Sequence, residues 1–102
     1  MIHVVATIRL APGTRGPFLD VFRALTPLVR AEAGCIEYGA TVDEPTTIPV
    51  QDLAGEDVVV VVEKWESVAA LHAHSAAPHM ATYRVDVKDY VRSVRLLVLR
   101  PV

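Results

Sequence analysis

Three of the chain's four histidines lie in the nine-residue segment Leu71–His79. A metal site is the first chemistry that such a cluster suggests. However, His72 and His74 are two residues apart, which places them about 200° apart around a helix. His79 follows across Pro78, and no carboxylate stands at a ligand spacing nearby. We therefore predict no bound metal. A histidine at a helix break instead suits proton transfer, since imidazole titrates near pH 6.5, and His74 is the candidate.

Polar side chains on the predicted strands indicate a second group of candidates. Glu63 and Trp65 point to one face of their strand, because side chains alternate with period two. His3, Thr7 and Arg9 share one face of the first strand. We expect this mixed row to face the helices and line a cleft for a small, largely apolar ligand. The simpler interpretation is that His3 and Arg9 are solvated at the strand ends. The opposite face is purely apolar, and we expect it to form a dry interface: Ile2, Val4, Ala6, Ile8 and Leu10.

The elements that must position these residues follow the order strand, helix, strand, strand, helix, strand. Alternation and β-branched residues predict the strands, and apolar residues at three- and four-residue steps predict the helices. This order predicts one α+β domain over residues 1–102. Its architecture is a ferredoxin-like split βαβ with helices on one face of a four-stranded antiparallel sheet. The predicted strands are Met1–Leu10, Cys35–Asp43, Asp57–Trp65 and Val91–Leu99, and a long loop spans Glu44–Glu56.

Two helices cannot cover both faces of this sheet, although its strands are apolar on both. Val58–Val62, for example, is an unbroken run of five valines. A bare apolar sheet face is typical of a protein–protein interface. We therefore predict a homodimer in which two sheets pack face to face and close a barrel.

Composition excludes several classes of protein. Ten Lys and Arg against twelve Asp and Glu give a net charge of −2, and no basic cluster is present, which argues against nucleic-acid binding. No apolar run approaches the ~20 residues that span a bilayer, so we expect no membrane partner. A single cysteine, Cys35, and the absence of an N-terminal leader pattern predict a cytoplasmic protein. No phosphate loop or nucleotide fingerprint is present, so we predict no cofactor.

Two segments resemble the antibiotic biosynthesis monooxygenase (ABM) family. The first is Glu32–Tyr38, at a helix-to-strand junction. The second is Glu63–Ser67, followed by Ala70–His74 and Pro78–Met80. The resemblance implies a small ferredoxin-like domain that dimerises through its sheet into a barrel and keeps a pocket between sheet and helices. Several members of the family oxidise phenols, quinols or polyketide aromatics with molecular oxygen, without a metal or flavin.

The resemblance also implies roles for individual residues. Trp65 and His74 match positions that line the pocket in the family, Tyr38 matches the junction tyrosine, and His79 matches a recurrent proline–histidine pair. Relatives that degrade haem carry an asparagine on the first strand where this chain has Thr7. That difference disfavours haem degradation.

The leading hypothesis is a cofactor-independent monooxygenase acting on a quinol or phenol. His74 would be the base, Trp65 would wall the pocket and stack on the ring, and Tyr38 would complete the catalytic set. The expected substrate-binding residues are Thr7, Arg9, Glu63, His79 and Tyr83. Two alternatives stay open. One is a non-oxidative isomerase or lyase of a small oxo compound, in which Arg9 would bind an anion, and the other is a non-catalytic dimeric binding or stress-response domain.

Overall fold

A computed structural model describes all 102 residues, Met1–Val102. The predicted order of elements is confirmed, and the break at Pro78 divides the second helical region into two helices. The elements are β1 (Ile2–Leu10), α1 (Arg15–Arg30), β2 (Cys35–Thr41), β3 (Val58–Trp65), α2 (Val68–Ser75), α3 (Pro78–Asp86) and β4 (Val91–Leu99). No helix combines the length and the apolar character that crossing a membrane requires.

The four strands form one antiparallel sheet in the order β2-β3-β1-β4. This is the ferredoxin-like arrangement that the sequence predicts. The register of β1 with β3 runs from Ile2 opposite Trp65 to Arg9 opposite Val58. The sheet of this single chain is open and does not close into a barrel, because β2 and β4 are both free edges. A barrel would require a second copy, and it stays a prediction.

The core lies between the inner face of the sheet and the three helices. Phe18, Phe22, Leu25 and Val29 are buried on one face of α1, at steps of four, three and four residues. That spacing keeps them on one side of a helix. Below them lie the inward side chains of β1 and β3, all at most 5% exposed: Val4, Ala6, Ile8, Leu10, Val59, Val61, Glu63 and Trp65.

The prediction for the two faces of β1 was wrong. The purely apolar row packs beneath the helices, and Thr7 and Arg9 lie on the open face of the sheet, where Arg9 is exposed. The physical reason is desolvation. The helix-covered side is the driest surface in the chain, so it takes the row without polar groups, whereas the Arg9 guanidinium would be costly to bury there. Neither Thr7 nor Arg9 can therefore line a cleft between sheet and helices.

The junction between α1 and β2 packs unusually closely against α2. Gly34 has a φ of +84°, and a Cβ atom placed on it would lie 2.6 Å from the Cβ of Ala70. Glycine is required both for the left-handed backbone and for the close approach. On the other side of the contact, the Ser67 hydroxyl accepts a hydrogen bond from the Ala70 amide and begins α2. This packing brings Glu32, two residues before Gly34, next to α2 and α3.

The segment between β2 and β3 is a loop, as the sequence predicts, with no helix or strand from Val42 to Asp57. Its ends are held together by Asp43, whose carboxylate accepts hydrogen bonds from the amides of Ala54 and Gly55 at 2.9 and 2.8 Å. These bonds lower the pKa of the Asp43 carboxyl. These bonds join the two ends of the loop at its base.

Candidate active site

A cavity of about 550 Å³ lies between the inner face of the sheet and the helices. Its volume falls in the range of small-molecule sites, and its lining is mostly apolar, as such sites usually are. Twelve of its seventeen lining residues are hydrophobic. It opens beside the edge strand β4, where the lining residues Val94 and Leu96 are 57% and 54% exposed.

Four polar side chains converge on this cavity from four different elements. Tyr38 comes from β2, Glu63 from β3, His74 from α2 and Tyr83 from α3. The sequence predicted all four as site residues. Glu63 and His74 are only 5% and 4% exposed, and they are the only buried residues of the chain that are polar or charged. A buried acid and a buried histidine in one apolar cavity are suited to proton transfer.

His74 is held in a defined orientation on three sides. Its Nδ1 lies 2.9 Å from Oε2 of Glu32. Its ring centroid lies 4.7 Å from that of Trp65 and 5.5 Å from that of Tyr38. The other ring nitrogen, Nε2, has no partner in the chain, and no buried polar atom is left unpaired, so Nε2 lies at an accessible surface. Because His74 lines the cavity, we take that surface to be the cavity wall.

Glu32 is the functional residue that sequence reasoning missed. Its Oε2 lies 2.9 Å from Nδ1 of His74 and 2.8 Å from Nε2 of His79. A carboxylate can only accept, so both histidines donate to it. The neutral His74 ring therefore carries its proton on Nδ1 and its lone pair on Nε2, facing the ligand space. Glu32 belongs to the first segment of family resemblance, but 42 residues separate it from His74, and no local pattern connects them.

The Glu63 carboxyl is held in place by a hydrogen bond from the indole of Trp65. The indole Nε1–H donates to Oε1 of Glu63 at 2.8 Å. Burial raises the pKa of the Glu63 carboxyl, while the Trp65 hydrogen bond and the nearby His74 act in the opposite direction. Trp65 itself is fully buried and is not part of the cavity lining. The sequence expectation that Trp65 stacks on a substrate ring was therefore wrong, because its ring packs against His74 instead.

The two tyrosines keep their protons at neutral pH. Burial raises the pKa of Tyr83 to about 12 and the pKa of Tyr38 well above its usual range. Both hydroxyls can therefore donate hydrogen bonds to a ligand oxygen that gains negative charge. The ring of Tyr38 stacks on Phe22 at 5.4 Å, which fixes its direction.

The remaining predicted site residues lie outside the cavity. Thr7 and Arg9 are on the opposite face of the sheet. His79 contacts Glu32 and reaches the cavity only through it. The anion-binding role of Arg9, on which the isomerase alternative depended, has no place in this geometry. No group of three His, Cys, Asp or Glu residues could hold a metal ion.

Comparison with known proteins gives consistent results. The sequence pattern of the family described as "Antibiotic biosynthesis monooxygenase" matches residues 1–85. The chain is 39% identical over 103 residues to the "Probable quinol monooxygenase YgiN" of Escherichia coli (strain K12), covering 99% of this chain and 98% of that protein.

Solved structures share the fold over nearly the whole chain. The crystal structure of PA3566 from Pseudomonas aeruginosa has a TM-score of 0.81 at 26% identity and covers 99% of this chain and 93% of its own. The structure of Rv0793 from Mycobacterium tuberculosis has a TM-score of 0.80 at 27% identity and covers 99% and 94%. With a family pattern that spans well over half of its residues, this chain belongs to the antibiotic biosynthesis monooxygenase family.

Proposed function

We propose that the chain is a monooxygenase that oxidises a quinol or a closely related phenol with molecular oxygen, using the electrons of the substrate itself. The observation that carries this proposal is the Glu32–His74 pair at a largely apolar cavity, in which Nε2 of His74 has no partner within the chain. The 39% identical relative named as a quinol monooxygenase supports the same substrate class. The cavity is not filled by the chain's own side chains, which disfavours a purely non-catalytic domain.

The proposed first step is removal of a phenolic proton. Nε2 of His74 accepts the proton, and the carboxylate of Glu32 stabilises the imidazolium that forms. The Tyr38 and Tyr83 hydroxyls donate to the phenolate oxygen. The lining is mostly apolar, so these few hydrogen bonds act in a medium of lower dielectric constant than water and are stronger than in solution.

The quinolate then reduces oxygen. One electron passes from the ring to O₂, and the resulting semiquinone and superoxide combine to form a carbon–oxygen bond, giving a ring peroxide. The O–O bond then breaks as the ring proton at that carbon passes to the departing oxygen. One oxygen atom stays on the ring, and the other takes up this proton and the proton of the His74 imidazolium and departs as water. Overall, quinol and O₂ give a hydroxyquinone and water, and the proton that His74 removed is returned.

The test is oxygen uptake by the purified protein with a panel of substituted quinols and phenols. His74→Ala should abolish the uptake that the protein catalyses. His72→Ala is the matched control, because His72 lies on the same helix but is exposed and does not line the cavity. With ¹⁸O₂, the product should carry one labelled atom. Full turnover by His74→Ala, or the absence of uptake across the panel, would refute the proposal.

We also propose that two copies pack through the open face of the sheet. Val62, Leu97 and Leu99 are 38%, 41% and 45% exposed on that face, although they are aliphatic. Light scattering should give the mass of a dimer, and Leu97→Asp should give a monomer. Leu28→Asp, on the exposed side of α1, should stay dimeric. A wild-type monomer would contradict the proposal. A cytoplasmic location, which the lone Cys35 favours, stays a prediction.

A further inference from the structure

We propose that the substrate carries an anionic substituent, a carboxylate on a short side chain, which binds Arg84 and Lys88 at the mouth of the cavity. This inference rests on the proposed function for the aromatic end of the substrate. It adds the chemical class of the opposite end, which neither the family pattern nor the relatives' names specify.

Arg84 and Lys88 are the only lysine and arginine side chains in the cavity lining. Both are exposed, and they lie where α3 ends beside β4, next to the opening at Val94. The Arg84 guanidinium donates from Nη2 to the carbonyl oxygen of Ser75 at 2.9 Å. That bond holds the group across the C-terminal end of α2 and leaves its other N–H donors free for a ligand.

Neither cation forms a salt bridge with a carboxylate of the chain. The four salt bridges of the structure join Arg23 to Asp20, Lys64 to Glu37, and His74 and His79 to Glu32. Most Lys and Arg residues of the chain are likewise outside salt bridges, but Arg84 and Lys88 are the two that border the apolar cavity. Two cationic side chains at the mouth favour an anionic group of the ligand there.

The inner end of the cavity, unlike its mouth, has no cationic side chain. The acid of Glu63 and the protonated hydroxyls of Tyr38 and Tyr83 lie there, with no lysine or arginine. With no lysine or arginine, this end suits the neutral hydroxyl groups of an incoming ring better than a permanent carboxylate, and the planar fork of Arg84 suits the carboxylate. The volume of about 550 Å³ accommodates a ring with a side chain. A substrate with both groups is therefore bound hydroxyl end first.

The experiment compares (2,5-dihydroxyphenyl)acetate with its neutral primary amide, by anaerobic titration calorimetry at low ionic strength. Wild type should bind the acid about fivefold more tightly than the amide, which is the scale of two exposed ion pairs. The double variant Arg84→Gln/Lys88→Gln should lose this preference and keep its affinity for the amide. Arg23→Gln, which removes an exposed arginine that does not line the cavity, should retain the preference.

Equal affinities in the wild type, a preference that survives in the double variant, or no binding of either compound would overturn the inference. Oxygen uptake is measured separately on the same pair. If the acid is preferred in binding but neither compound is oxidised, the oxygenase proposal fails while the assignment of the ligand class stands. If the wild type oxidises both the acid and the amide but binds them with equal affinity, only the inference about the mouth fails.

Discussion

Replacing Glu32 with glutamine tests the central pair of the site with the smallest change of shape. The amide oxygen of Glu32→Gln can still accept a hydrogen bond from Nδ1 of His74, but the negative charge is lost. The imidazolium that forms when Nε2 takes the substrate proton is then stabilised only by a neutral hydrogen bond. The variant should therefore bind the quinol normally and fail at proton transfer.

The magnitude follows from the geometry of the contact. A hydrogen bond to a charged group contributes about 1.5–3 kcal/mol and a neutral one about 0.5–1.5 kcal/mol. The Nδ1–Oε2 distance of 2.9 Å and the 13% exposure of the Glu32 side chain place this contact among the protected, charge-assisted bonds. A difference of about 1–2 kcal/mol in the transition state corresponds to a roughly 5- to 30-fold lower kcat.

The assay is steady-state oxygen consumption, with KM for the quinol measured on the same samples. We expect kcat to fall and KM to change little. Glu37→Gln is the control, since it makes the same chemical change at an exposed ion pair with Lys64. Thermal melts of both variants separate a loss of folding from a loss of catalysis. A Glu32→Gln variant that is folded and turns over at the wild-type rate would refute the role of Glu32.

Three further predictions concern stability and are measured by urea unfolding. Gly34→Ala should lower the free energy of unfolding by about 1–3 kcal/mol, because a left-handed backbone and a contact with the Ala70 Cβ atom both oppose a side chain there; an unchanged midpoint would contradict this. Phe22→Ala should cost about 3–5 kcal/mol, and Leu28→Ala on the exposed side of the same helix under about 0.5 kcal/mol, so similar costs would refute the assigned helix face. Burial raises the pKa of Glu63, so this carboxyl holds its proton to higher pH in the folded chain than in the unfolded chain, and its contribution to stability falls as pH rises above about 4.5. Glu63→Gln should remove that loss, so the stability of the variant relative to the wild type should be higher at pH 7 than at pH 4. If the two proteins show parallel profiles of stability against pH, the prediction is wrong.

The sequence alone determined the order and type of the elements. Local rules suffice for that: period-two alternation defines the strands, three- and four-residue steps define α1, and Pro78 divides the second helical region. Alternation along its strand indicated Glu63, and the histidine cluster at a helix break indicated His74. The resemblance to the family added Tyr38, and Tyr83 was a further candidate for the same site. Those four residues do line one cavity in the structure.

Tertiary structure alone decided which side of the sheet the helices cover. Alternation shows that Thr7 and Arg9 share a face, but it is symmetric and does not say which face is dry. That choice depends on packing of the whole chain, in which the row without polar groups pairs with the apolar face of α1. The same dependence on packing explains Trp65, whose ring lies behind His74 and Glu63 rather than against the ligand space.

Glu32 is the clearest case of a residue whose role depends on tertiary structure and not on local sequence. Its neighbours in sequence place it at the end of α1, where a carboxylate is ordinarily solvated. Its partners, His74 and His79, are 42 and 47 residues away and belong to two other helices. They meet because Gly34 allows the α1–β2 junction to approach α2 closely, and a contact of that kind exists only once the chain has folded. The sequence thus indicated His74 as the candidate base, and the fold decided that Glu32 is its partner.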